Sequence, residues 1–224
     1  TLATRMRDLL LEPTPRRALL RLPTGAGKTR VAVEAVIRVV KARRLTGPVL
    51  WIAESNELCE QAVQSWKFVW SKVGPEEELT VSRFWGGNDV VPAEDNTHLV
   101  VATDATLNQR LERDDLEWLR RPALVIVDEA HRATTPTYTR IFEKLGLSLQ
   151  ARRTDRPLIG LTATPFRGRN EAETRLLVER FGRNRLDEDL FGNEEPAVVL
   201  QRSGVLARVQ HRELVGSTVT LSND

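Results

Sequence analysis

The 224-residue chain has a single cysteine, Cys59. No internal disulfide is possible, so the fold is compatible with a reducing compartment. No apolar run approaches the roughly 18–20 residues that span a bilayer. No charged-then-apolar start of the secretory kind is present. These absences lead to the expectation of a cytoplasmic chain with no membrane partner. A strong charge of either sign is also missing: 33 Lys and Arg stand against 31 Asp and Glu, a formal net charge of +2. A basic face for nucleic acid would have to come from clustering in space, which composition does not display. There is no internal repeat and no low-complexity tract. The chain begins at Thr1, already in a helical pattern, and is read as a piece of a longer protein. What remains is an ordinary globular composition, 41% hydrophobic and 29% charged, long enough to bury a core.

The apolar pattern predicts alternating strands and helices. Leu2, Met6, Leu9 and Leu10 mark one helix face, broken by Pro13 and Pro15. Ala18–Leu22 reads as a buried strand, Pro23–Thr29 as a Gly-rich turn and Arg30–Ala42 as a helix. The cycle repeats: strands at Val49–Ala53, Leu79–Trp85, Leu99–Ala102, Ala123–Val127 and Leu158–Leu161. Helices are expected at Glu57–Val73, Asp104–Leu111, Tyr138–Leu149 and Glu171–Phe181. Along Glu57–Val73 the expected apolar stripe is Leu58, Gln61, Ala62, Ser65 and Trp66. The strands are continuous apolar runs, as expected when both faces of a parallel sheet are covered by helices. Ligands of such sheets sit at the carboxyl ends of the strands. Asn184–Glu195 is polar and acidic and reads as flexible, and Val205–Leu221 has strand character again.

Pro23-Thr24-Gly25-Ala26-Gly27-Lys28-Thr29 follows a strand and opens a helix. Glycines let the backbone approach a phosphate and turn N–H groups toward it, and the helix N-terminus adds positive potential. Lys28 supplies a point charge for the β- and γ-phosphates, and the Thr29 hydroxyl is suited to Mg²⁺. The general phosphate-loop pattern asks for a further glycine where Leu22 stands. Taken alone, a Gly-rich turn before Lys-Thr would carry little weight; the strand-turn-helix context decides for phosphate.

Asp128-Glu129-Ala130-His131 ends the strand Ala123–Val127, 100 residues after Lys28. Asp128 there can hold Mg²⁺ directly or through water. Glu129 is placed to orient and deprotonate an attacking water. Two acids at a strand end are often only solvated; their pairing with the phosphate loop gives them a role. His131 is expected to connect the nucleotide to Thr162-Ala163-Thr164 and not to bind metal, while His98 and His211 look unremarkable.

In order and spacing these segments resemble the motifs of superfamily 2 helicases. Pro23–Thr29 is similar to motif I, Asp128–His131 to motif II, and Leu161-Thr162-Ala163-Thr164-Pro165-Phe166-Arg167 to motif III. Ile52–Gln61 looks like motif Ia and Val100–Leu107 like the region around Ib. The resemblance covers roughly residues 16–181 and implies an α/β RecA-like domain with a parallel sheet. It implies ATP and Mg²⁺ as ligands, with Lys28, Asp128, Glu129 and His131 as catalytic residues. Thr24, Gly25, Ala26, Gly27, Lys28 and Thr29 would hold the nucleotide, Thr29 and Asp128 the metal, and Thr162 and Thr164 would couple the sites. Motifs Ia and Ib would touch nucleic-acid phosphates through Ser55, Asn56, Thr103 and Thr106, each of which could equally serve as a helix cap. The Thr-Ala-Thr-Pro form resembles the DNA-directed branch, which includes restriction translocating subunits, repair helicases and defence helicases. The expected track is therefore double-stranded DNA, with RNA as the alternative.

The resemblance also implies what lies elsewhere. An adenine-reading motif is expected before the first helix, and Gln109 and Gln150 are misplaced for it. A second RecA-like domain is expected to supply an arginine finger, so residues 1–182 would bind nucleotide and turn it over slowly, with 183–224 leading toward that domain. Gly204–Leu214 resembles the crossing into it, or is simply a terminal strand. Among the aromatics, Trp51, Trp66 and Trp70 read as packing groups; the pair Phe84-Trp85 before Gly86-Gly87 could contact a partner or DNA, with packing favoured. Arg152, Arg153 and Arg156 flank a loop and could meet phosphate, although such a run is more often solvated surface. The competing readings are a motor, an ATP switch or duplex translocase without strand separation, an inactive nucleic-acid-binding module, and a non-helicase ATPase. Intact Lys28, Thr29, Asp128 and Glu129 argue against the third, and the Thr-Ala-Thr-Pro segment against the last.

Overall fold

The computed structural model describes residues 1–12, 16–42, 44–45, 47–93, 97–149, 156–163, 171–192 and 194–207. The chain runs α1 (Leu2–Leu11), β1 (Arg17–Arg21), α2 (Lys28–Lys41), β2 (Val49–Ala53), α3 (Asn56–Val73), β3 (Leu79–Phe84), β4 (Thr97–Thr103) and α4 (Asp104–Arg110). It continues through a 3-10 helix (Asp114–Arg120), β5 (Leu124–Val127), a 3-10 turn (Ala130–Thr134), α5 (Pro136–Lys144), β6 (Leu158–Thr162), α6 (Glu171–Arg180) and α7 (Pro196–Arg202). The six strands form one parallel sheet in the order β1-β6-β5-β2-β4-β3.

Alternation along each strand splits the core into two layers. On one face Val49, Trp51 and Ala53 of β2 and Leu124 and Ile126 of β5 pack with α1, α2 and α3. On the other, Leu50, Ile52, Val125 and Val127 pack with Leu107, Tyr138, Ile141, Phe142, Leu177 and Phe181. This two-sided burial is why the strands read as unbroken apolar runs. Trp51 and Trp66 meet edge to face, with ring centroids 6.4 Å apart. Phe84 and Trp85 are buried, so that pair packs.

The structure departs from the sequence reading at several elements. The buried stripe of α3 is Cys59, Ala62, Val63, Trp66 and Val69, one position off the predicted stripe at several turns. Helix α5 stops at Lys144 because Gly146 adopts φ 67°, a left-handed conformation that ends helices. The 3-10 helix Asp114–Arg120 buries Leu116 and Leu119 at a spacing of three, which a 3.6-residue search overlooks. The first part of the polar stretch, Asn184–Asp187, is tied to β1. The Leu19 N–H donates to the Asn184 carbonyl (2.9 Å) and the Leu186 N–H to the Leu19 carbonyl (2.8 Å), extending the sheet beyond β1. The Asp187 side chain is fully buried, accepting from the Arg21 N–H (3.1 Å) and Arg185 Nη2 (2.5 Å). Of the expected strand Val205–Leu221, residues 205–207 do not form one and the remainder lies outside the described residues. No described helix is long and apolar enough to cross a membrane.

Candidate nucleotide site and its surroundings

All strands point the same way, so the carboxyl ends of β1, β5 and β6 lie at one rim, with β6 between the other two. After β1 the chain turns through Gly25 (φ 79°) and Gly27 (φ 84°), angles that L side chains rarely adopt. Gly27 is the N-cap of α2, and the helix begins at Lys28. Thr24 and Gly25 are exposed, Ala26 and Thr29 are half-buried, and Lys28 is buried. Among the described residues no ion pair engages Lys28. A buried ammonium beside N–H groups at a helix start suits a phosphate.

Asp128 and Glu129 leave β5 at the same rim. The Asp128 N–H donates to the Ile52 carbonyl (2.8 Å), and the Asp128 Oδ1 accepts from the Glu129 N–H (3.1 Å). Burial raises the Asp128 carboxyl above the ordinary aspartate range, with Glu129 pushing the same way, while that hydrogen bond and Lys28 act against it. Glu129 holds φ 51°, ψ 54°, a left-handed backbone rare outside glycine and a sign of strain at a working position. The His131 Nδ1 lies 3.3 Å from Glu129 Oε2. Thr162 is buried at the end of β6, where its carbonyl accepts from the Leu22 N–H at the entry to the glycine loop (3.1 Å). Thr164 lies outside the described residues, as do Arg152 and Arg153.

Gly160 shows why β6 can sit between these loops. A Cβ there would stand 2.6 Å from Leu19, 2.7 Å from Ala130 and 2.7 Å from Phe181. Beneath the Ala130–Thr134 turn, Arg180 donates to the Ala133 carbonyl and to Thr139 Oγ1 (3.2 Å), holding the turn to α5.

The motif Ia and Ib residues lie farther along the rim. Ser55 caps α3, its hydroxyl accepting from the Leu58 N–H (3.3 Å), and Asn56 is exposed. Thr103 caps α4, accepting from the Thr106 N–H (3.3 Å) and donating to the Thr106 hydroxyl (2.8 Å); both threonines are buried. The sequence reading overlooked Arg132, which pairs with Glu54 and lies 3.6 Å from Asp104. One guanidinium thus joins the ends of β2, β4 and β5. Its signal was its place directly after His131. Burial pushes the Cys59 thiol, beneath this network, up to about 12, which keeps it neutral.

The model of the family described as "Type III restriction enzyme, res subunit" (ResIII) matches residues 3–167. The chain belongs to this family. A ResIII domain of this length is one part of the larger proteins it resembles. It is 32% identical over 115 residues to the "Type I restriction enzyme EcoKI endonuclease subunit" of Escherichia coli (strain K12), which is 51% of the chain and 10% of that subunit. Among solved structures it is similar to the Hef helicase domain of Pyrococcus furiosus, with 25% identity, a TM-score of 0.53, and coverage of 79% of the chain and 36% of that protein. The Sulfolobus solfataricus SWI2/SNF2 ATPase core in complex with dsDNA shares the fold at 22% identity and a TM-score of 0.53, over 85% of the chain and 35% of its own. The fold is that of the first RecA-like domain of a superfamily 2 helicase.

Proposed function

We propose that this ResIII domain binds Mg-ATP at the β1–β6–β5 rim and couples its hydrolysis to movement along double-stranded DNA. The observation that carries this reading is the convergence on one rim of a glycine-built loop with a buried Lys28 and two successive carboxylates, one on strained backbone. Thr24–Thr29 would cradle the phosphates, with Lys28 countering their charge. Thr29 and Asp128 offer the hard oxygen donors Mg²⁺ prefers, and one or two such protein ligands suffice for it. When bound, the metal would neutralise charge on the transferred phosphoryl group. Glu129 would orient and deprotonate water, with its backbone fixing the carboxylate and His131 Nδ1 holding one oxygen. Thr162 and Thr164 would pass the nucleotide state along β6, and Ser55, Asn56, Thr103 and Thr106 would border the DNA path. For Ser55 and Thr103 that role would come on top of the cap each already provides.

In this reading residues 1–182 are the nucleotide-binding unit and 183–224 the passage toward a second RecA-like domain. Restriction, defence or repair assemblies are the settings this family favours, as the E. coli restriction subunit suggests. The deciding experiment measures ATP hydrolysis by the longest natural form with no nucleic acid, duplex DNA, single-stranded DNA or RNA. Strong stimulation by duplex DNA is expected. Stimulation by RNA alone would replace the track, and nucleotide binding with no stimulation by any would replace the motor with a switch.

A further inference from the structure

At the opposite rim the amino ends of the strands enclose a cavity of about 260 Å³ lined by Arg16, Arg44, Arg121 and Arg156. Four separate chain segments supply these residues: the entry to β1, the turn between α2 and β2, the entry to β5 and the entry to β6. A second cavity of about 260 Å³ adjoins it, sharing Arg121 and Arg156 and adding Arg120 and Lys144, with Glu117 the one acid on its wall. The backbone beneath is cross-tied. The Leu158 N–H donates to the Arg16 carbonyl (2.9 Å), Val125 N–H to the Pro157 carbonyl (3.0 Å), and Ala123 N–H to the Pro48 carbonyl (2.8 Å).

Some of these cations are engaged. Lys144 lies 3.4 Å from Glu112, and Arg156 Nη1 donates to the Leu145 carbonyl (2.9 Å). Among the described residues, however, no carboxylate stands within ion-pair distance of Arg16, Arg44 or Arg121, and no hydrogen bond engages their side chains. The Arg120 Nε is buried without a partner. In a chain whose net charge is only +2, this is a local surplus. Repulsion among unpaired guanidiniums is relieved by a ligand carrying more than one negative charge, and the planar arginine fork matches phosphate oxygens. A lone carboxylate would answer one of the arginines.

We propose that this cavity is an anion site for a compact phosphate group, on the rim opposite the nucleotide. The group is either a free phosphate compound or a phosphodiester displayed by a nucleic-acid strand. The site does not depend on the nucleotide reading, and the test keeps the two apart. With the glycine loop disabled by Lys28→Ala and no magnesium present, inorganic pyrophosphate and a short DNA duplex are each titrated at low salt by calorimetry. Arg44→Gln/Arg121→Gln is then added; both positions are exposed, and an unchanged melting temperature verifies folding. Pyrophosphate is expected to bind at one equivalent and to weaken by a factor on the order of 100 in the double substitution. Loss of duplex binding in the same variant assigns the phosphate to a nucleic-acid backbone, and unaltered duplex binding assigns it to a free ligand. If neither probe binds more weakly after the double substitution, the proposal is overturned.

Discussion

At the carboxyl rim of the sheet the chain turns through Gly25, Gly27 and Glu129 at positive φ and gathers Lys28, Asp128, Glu129, Glu54 and Asp104. At the amino rim it enters β2, β5 and β6 through Pro48, Pro122 and Pro157 and gathers arginines. The first rim holds strained backbone and half-buried carboxylates, both unfavourable for folding and both suited to chemistry. The second uses residues that stiffen the chain and cross-tied carbonyls, which fix positions at little cost. The central strands β6, β5, β2 and β4 between them form a buried, mostly apolar slab. The contrast teaches that a parallel sheet leaves its two ends independent, so one can be arranged for turnover and the other for stiffness and charge.

Substitutions can break or sharpen that contrast. Glu129→Gln carries the largest expected effect: hydrolysis falls by about 10²–10⁴-fold while nucleotide binding persists, measured by phosphate release and by calorimetry. Wild-type turnover in that variant would remove the chemical distinction between the rims. Asp187→Ala should lower stability by about 3 kcal/mol in urea unfolding, because it removes a fully buried carboxylate that accepts from the Arg21 N–H and pairs with Arg185. A loss below the precision of such a titration would mean the segment merely rests against β1. Gly160→Ala should cost about 1–3 kcal/mol by overpacking against Leu19, Ala130 and Phe181, read from thermal melts. Ser55→Ala should cost about 1 kcal/mol as a lost cap. If DNA stimulation also falls in the folded variant, Ser55 serves the track as well as the helix; if only the melt changes, it is a cap.

How much of this was legible beforehand depends on distance along the chain. The strand Val49–Ala53 matches its sequence reading to the residue, and the turn opening at Pro23 matches up to Gly27, with Lys28 and Thr29 already in α2, because both signals are contiguous: an apolar run between breakers, and glycines before Lys28. The carboxylates of Asp128 and Glu129 could be read because they end such a run. The reading of Asn184–Glu195 as flexible fails at Asn184–Asp187. That segment joins β1 through backbone bonds and one buried carboxylate, which require no apolar pattern. The Glu54–Arg132–Asp104 network and the arginine rim stayed hidden for a similar reason. Each is assembled from residues far apart in sequence, and charge clustering is a property of space.

The pairing of β1 bears on how the molecule assembles. Arg17 finds its register partner at Leu158, and among the described residues Asn184–Asp187 closes the outer edge of β1. Bonds between positions so distant close large loops and form slowly. During synthesis, β2, β4 and β5 can meet while β1 still has no neighbour. The strand that leads into the glycine loop is therefore made before the other five and seated only once β6 is available, so on the function proposed above the nucleotide site is complete only after β6 has emerged.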